Sequence, residues 1–245
     1  MGTPQVLIHP SPETLAAAVA GRLVERLVAA QADGRTPSVA LTGGTVAVRI
    51  HEAVVAASRG VVDWADVDVW WGDERYVPAD DPDRNARQAR ESLLDHVGVT
   101  AERVHEMPAS DGGYAGLDEA AAAYGEEVRA HSSDLFDVVM LGVGPDGHVA
   151  SLFPGYPQLD VDDTVAVPVT DSPKPPPDRI SLTFGALNRA REVWFVVAGD
   201  GKADAVGRAL ATGADAADVH DVPAVGVRGQ EQTLWFLDAD AASRL

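Results

Sequence analysis

The chain contains no cysteine. That excludes disulfides, thiolate metal sites and a cysteine nucleophile, and it leads to the expectation of a cytoplasmic protein. Lysine is nearly missing: Lys174 and Lys202 are the only two, and every other basic residue is an arginine. Positive charge as a whole is scarce, because 19 basic side chains face 38 acidic ones for a formal net charge of -19. Such a surface repels nucleic acid and anionic lipid, so neither is an expected partner. No apolar run approaches the roughly 20 residues of a membrane span. The N-terminal segment lacks the basic-then-apolar pattern of a secretory signal. Apolar residues nevertheless make up 46% of the 245 residues, which is enough for a sizeable core and argues against disorder.

Short apolar runs alternate with amphipathic stretches, which predicts strands separated by helices. Strands are expected at Val6–His9, Ser38–Gly44, Val67–Asp73, Phe136–Gly144, Arg179–Phe184, Glu192–Gly199 and Leu234–Asp240. A helix is expected to open at Ser11-Pro12, with Ser as N-cap and Pro in the first turn. Its buried stripe reads Leu15, Val19, Leu23, Leu27 and Val28. Further helices are expected over Val46–Ser58, Arg84–His96, Leu117–His131 and Lys202–Ala211. The strands are apolar throughout, as in a sheet covered on both faces. The expected architecture is one α/β domain over residues 1–245, with a doubly wound, mostly parallel sheet and helices on both faces.

Ligands of such sheets bind beyond the carboxyl ends of the strands. Four expected strand ends carry polar or glycine-rich turns: Thr42-Gly43-Gly44-Thr45, Asp73-Glu74-Arg75, Gly144-Pro145-Asp146-Gly147-His148 and Gly199-Asp200-Gly201-Lys202. The run Gly142–Gly147 fits G-x-G-x-x-G, but a dinucleotide site needs a helix to start there, and Pro154-Gly155 follows too soon. No Walker lysine, G-x-S-x-G elbow or H-E-x-x-H occurs, which weighs against the chemistries those motifs carry.

His148 alone of the seven histidines sits in a glycine-rich turn after a buried strand. A neutral imidazole there can take a proton from water, and Asp146 is near enough in sequence to orient it. Asp146 would equally suit a plain turn. The backbone N–H groups of Gly43, Gly44 and Thr45 at a helix start can bind phosphate. Lys202 can add a point charge, and Arg179 can fork onto an anion. Asp73 and Arg75 could bind sugar hydroxyls and steady an oxyanion. Lys174, in the proline-rich loop Ser172–Asp178, reads as a solvated surface lysine.

In these segments the sequence resembles the 6-phosphogluconolactonase family, which shares its Rossmann-type fold with glucosamine-6-phosphate deaminases. The resemblance rests on Leu41–Val48, Trp71–Arg87, Asp137–Gly155, Arg179–Val206 and Pro223–Val227. It implies hydrolysis of 6-phospho-D-glucono-1,5-lactone in the oxidative pentose phosphate pathway, without metal or cofactor. It also implies His148 as general base with Asp146 beside it, and Asp73 and Arg75 as the acid and arginine of the D-E-R block. Gly43, Gly44, Thr45, Arg179 and Lys202 fall on its phosphate-binding positions. Two residues depart from the family's phosphate loop: Thr42 stands for serine and Ala47 for proline. The deaminases carry an acid after the histidine, where this chain has Ser151-Leu152-Phe153-Pro154, which favours a lactonase. A sugar-phosphate sensor would need an added DNA-binding segment, and the first strand starts almost at Met1. The expected partner is a small sugar-phosphate lactone, and a monomer is the expected state.

Overall fold

The structure is a computed structural model that describes residues 3–131 and 136–245. Its strands, in chain order, are β1 (Gln5–His9), β2 (Ser38–Leu41), β3 (Asp68–Trp71), β4 (Asp73–Arg75), β5 (Val138–Leu141), β6 (Ala166–Val169), β7 (Arg179–Leu182), β8 (Glu192–Val197) and β9 (Gln232–Asp238). The α-helices are α1 (Pro12–Ala32), α2 (Thr45–Ser58), α3 (Asn85–Ser92), α4 (Leu117–His131), the single turn α5 (Phe184–Leu187) and α6 (Ala203–Leu210). Six strands form a parallel sheet in the order β1-β9-β8-β5-β2-β3. This is the expected mostly parallel α/β sheet.

Local sequence explains the framework. Ser11 caps α1 by accepting from the Thr14 backbone N–H at 3.3 Å, and Pro12 fills the first turn, where its missing N–H costs nothing. The stripe Leu15, Val19, Leu23 and Leu27 is buried as expected. Val28 is not: it stays 36% exposed, because one residue past Leu27 it is turned about 100° off the buried stripe. Every residue of β5 and β8 is buried, so these strands carry no polar alternation. Each large aliphatic removed from water there contributes about 1.5–3 kcal/mol. At the sheet edge, β1 is largely open and Ile8 is 57% exposed.

The expected third strand does not run unbroken to Asp73. It ends at Trp71, and the chain changes sheets at Gly72. The Gly72 N–H donates to the Leu41 carbonyl of β2 at 3.1 Å, while its own carbonyl accepts from Leu182 N at 2.9 Å. Asp73-Glu74-Arg75 is therefore not a turn. It is a strand of a second, antiparallel sheet in the order β4-β7-β6. Arg179–Phe184, expected as a strand, supplies β7 to that same small sheet. The Arg84–His96 helix is also shorter than expected. Leu93 leaves helical geometry (φ -137°, ψ -63°), which splits off a 3-10 turn at Leu94–His96.

The order of the parallel sheet sets the site. From β2 the chain steps outward to β3, then returns to the other side of β2 for β5, and β8 and β9 add beyond it. The direction of winding reverses between β2 and β5, and such a switch point leaves a crevice outside the carboxyl ends of the two strands.

Candidate active site

A cavity of about 420 Å³ opens at this point, within the range of small-molecule sites. Its wall draws on the ends of β2 (Thr42–Thr45), β5 (Gly142–Gly144, then His148 and Ala150) and β8 (Val196–Ala198, then Lys202). The small sheet contributes Asp73, Arg75 and Arg179, and the proline loop contributes Lys174 and Pro175. The structure thus brings the four turns singled out in the sequence to one place.

The β5 turn places an imidazole beside a carboxylate. His148 Nδ1 lies 2.5 Å from Asp146 Oδ1, and the ring rests against Phe153 at a centroid distance of 4.6 Å. A carboxylate only accepts, so Nδ1 carries the proton and the Nε2 lone pair is left free. Although burial opposes it, the hydrogen bond and charge of His148 hold the Asp146 carboxyl down at about 2. The acid is thus an anion at any ordinary pH. No helix follows Gly147. The chain instead makes short bridges between Val143 and Val149 and between Val149 and Leu152, so the glycines do not form a dinucleotide turn. Gly144 has another purpose: a Cβ there would sit 2.0 Å from His148 Nδ1 and 2.4 Å from Asp146 Oδ1. Ala150, on the cavity wall, is held at φ 50°, a conformation costly for a residue with a side chain.

The β2 turn delivers the start of α2. Gly44 takes φ 96° at the N-cap with no side-chain cap, and Thr45 opens the helix, so the first N–H groups of the helix, which have no intrahelical acceptor, belong to residues that line the cavity. Ala47, where the resembling family has proline, is buried.

The small sheet fixes the remaining side chains. Glu74 is buried and accepts from the backbone N–H groups of Arg75, Asn85 and Ala86 at 2.7, 2.8 and 2.8 Å. Burial pushes its carboxyl up to about 7, against the pull of Arg84 and those N–H groups. It ties the start of α3 to β4 and so delivers Asn85. Asn85 Nδ2 donates to the Asp73 carbonyl at 2.9 Å, and its Oδ1 accepts from Arg75 Nη1 at 2.7 Å. A Cβ on Gly43 would meet Asn85 Oδ1 at 1.8 Å, so that glycine lets the amide lie against the β2 turn. Sequence reasoning missed Asn85. Its only signal was its place eleven residues past Glu74, behind a run of loop-forming residues. Asp73 Oδ2 accepts from the Ser151 hydroxyl at 2.6 Å. Ser151 stands in the stretch where the deaminases carry their acid.

Arg179 is buried on the cavity wall. Its Nε donates to the Pro176 carbonyl at 3.2 Å and its Nη2 to the Lys174 carbonyl at 3.0 Å. It therefore also pins the proline loop, a role not read from the sequence. Burial lowers its pKa from the ordinary value, with Asp73 opposing and Arg75 adding to the effect. Lys202 is lowered by burial and then by Lys174, with Asp146 opposing. Lys174 remains solvent-exposed, but it belongs to the cavity rim, contrary to the expectation of an unrelated surface lysine.

Charge is the clearest property of the site. Arg75, Lys174, Arg179 and Lys202 share the wall with a single carboxylate, that of Asp73. None of the four forms a salt bridge among the described residues, whereas eleven arginines elsewhere do. In a chain of net charge -19, unpaired cations gathered in one cleft focus positive potential and draw an anion.

Fold and cavity together define a class: an α/β protein with an anion-suited cleft at the switch point of a parallel sheet. Residues 10–235 match the family described as glucosamine-6-phosphate isomerases/6-phosphogluconolactonase, and the chain belongs to that family. It is 46% identical to the 6-phosphogluconolactonase of Streptomyces coelicolor, over 99% of this chain and 95% of that one. It is also 46% identical to the 6-phosphogluconolactonase of Mycobacterium tuberculosis, over 97% of each. Among solved structures, the 6-phosphogluconolactonase of Trypanosoma brucei superposes with a TM-score of 0.83 at 27% identity, covering 99% of this chain and 98% of that one.

Proposed function

We propose that this chain is a 6-phosphogluconolactonase, hydrolysing 6-phospho-D-glucono-1,5-lactone to 6-phospho-D-gluconate with His148 as general base. The observation that carries the reading is the pairing, in one cavity, of the His148–Asp146 couple with four unpaired cations. The first matches hydrolysis and the second a phosphate dianion.

In this mechanism the N–H groups at the Gly43–Thr45 turn, with Lys202 and Arg179, hold the phosphate. Lys174 adds charge at the rim. The lactone carbonyl then lies beside His148. A water oxygen attacks C1 while Nε2 takes the water proton, and the Asp146 carboxylate stabilises the imidazolium that results. The carbonyl oxygen becomes an oxyanion faced by Arg75. On collapse, the bond from C1 to the ring oxygen breaks, and that oxygen takes the proton back from the imidazolium. The product is the open-chain acid and the imidazole is neutral again. Asp73, fixed by Ser151, offers its other oxygen to a sugar hydroxyl.

Expulsion of ammonia from an amino-sugar phosphate is the alternative within the family. Ser151 supplies a hydroxyl to Asp73 in the stretch where that chemistry has its acid. The test generates the lactone with glucose-6-phosphate dehydrogenase and follows acid release with and without the protein. Acceleration over spontaneous hydrolysis, and no ammonia from glucosamine 6-phosphate, is the expected result. Spontaneous kinetics in the presence of the protein would remove the reading.

A further inference from the structure

Away from the cavity, two histidines and a glutamate converge where α4 meets the segment after β3. Glu127 and His131 stand four residues apart on α4, which puts them on one helix face. His105 arrives from the other side, its backbone N–H donating to the Val69 carbonyl at 2.9 Å. One ligand atom from each of the three side chains lies within 4.8 Å of the others. None of the three lines the cavity described above.

The outer partners of the histidines match those of metal ligands. His105 Nε2 faces Asp68 Oδ1 at 3.5 Å, and Asp68 is itself held by Arg103 Nη1 at 3.0 Å. His105 Nδ1 lies 2.8 Å from Glu127 Oε1, and because a carboxylate only accepts, Nδ1 carries a proton there that a bound ion would displace. His131 Nδ1 lies 3.2 Å from the Glu127 carbonyl. A carbonyl only accepts, so this bond puts the proton on Nδ1 and leaves the Nε2 lone pair free. His131 thus presents a free nitrogen, and His105 presents Nδ1 once an ion replaces the proton shared with Glu127, while Asp68 stays behind its Nε2 as the outer acceptor that orients metal-binding histidines. Packing fixes the rings as well: Trp70 stacks on His105 at 3.8 Å and meets His131 edge-on at 5.8 Å.

We propose that His105, Glu127 and His131 form a binding site for one divalent transition-metal ion of the Zn²⁺ class. Two imidazoles and one carboxylate suit Zn²⁺ and disfavour Ca²⁺ or Mg²⁺, which take all-oxygen sets. Bonds of about 2.0–2.2 Å in tetrahedral geometry require the ligand atoms to close up somewhat. His131, exposed at the end of α4, is free to make that movement. Water completes the fourth position. The ion would clamp α4 to the strand β3 that Trp70 and Asp68 belong to.

The test titrates the whole protein with Co²⁺, read by its ligand-field absorption, and with Zn²⁺, read by calorimetry. One ion per chain is expected, with a tetrahedral Co²⁺ spectrum. Asp68→Asn, which removes the outer carboxylate behind His105 together with its ion pair to Arg103, should weaken binding by about 10–100-fold. His131→Ala should weaken it further, while circular dichroism and lactone hydrolysis stay as in the parent protein. The absence of saturable uptake by the parent overturns the proposal. So does uptake that His131→Ala leaves unchanged, since the ion then sits elsewhere.

Discussion

His148→Ala is expected to lower kcat by about two to four decades, the usual contribution of a positioned general base. The fold should survive, because among the described residues the imidazole's hydrogen-bond and ring partners, Asp146 and Phe153, both lie within five residues of it in the same segment. The argument is one of proton accounting. Asp146 accepts the hydrogen bond of Nδ1–H at 2.5 Å, so the lone pair on Nε2 is the one left to act as base. Asp146 itself, held at about 2, is too weak a base to replace it near neutral pH. Removing the imidazole therefore removes the proposed proton acceptor and leaves the cations of the cavity wall in place, so KM should change little. Turnover measured in the coupled assay, alongside a thermal melt, checks both halves. Near-normal kcat in a folded variant would end the assignment.

Gly144→Ala should come close to the same loss without touching a functional group. The added methyl would lie 2.0 Å from His148 Nδ1, 2.1 Å from its Cε1 and 2.4 Å from Asp146 Oδ1. Carbon atoms do not approach that closely, so the imidazole and carboxylate must move by about 1 Å or more. A misplacement of that size can cost about 100-fold in rate. Gly142→Ala is the matched control, because its Cβ would meet only Thr42 Oγ1 at 3.9 Å. The expected pattern is a kcat at least about 100-fold down for Gly144→Ala and near the parent for Gly142→Ala. Equal activity in the two variants would show that the couple tolerates displacement.

The elements readable in the sequence were those whose physics is local. Ser11-Pro12 announces a helix because capping and proline act within one turn. Val138–Leu141 and Glu192–Val197 announce buried strands because both faces of each are covered. The turn after β5 was readable too, since glycines, an acid and a histidine beyond a buried strand are few in number and close in sequence. The small antiparallel sheet was not readable. Its strands are three or four residues long, and β4 comes from a segment far upstream of the neighbouring β6 and β7. Only Gly72, by giving its N–H to one sheet and its carbonyl to the other, shows where the chain crosses. Asn85 was hidden for a related reason: its partners, Asp73, Arg75 and the Gly43 turn, converge only in three dimensions. Lys174 was misread because a proline-rich loop suggests surface, whereas Arg179 draws that loop over the cleft through the carbonyls of Lys174 and Pro176.

In the proposed mechanism the cationic wall of the cavity recognises the phosphate, a task the imidazole cannot perform. Comparing kcat/KM for the 6-phosphorylated lactone with that for glucono-1,5-lactone, in the parent protein and in Lys202→Ala, measures this directly. Loss of one charge-assisted hydrogen bond of roughly 1.5–3 kcal/mol should cost the phosphorylated lactone about 10- to 150-fold. The unphosphorylated lactone, slow in both proteins, should be unaffected. Equal losses on the two lactones, or none on either, would contradict the assignment of the cationic cleft to phosphate.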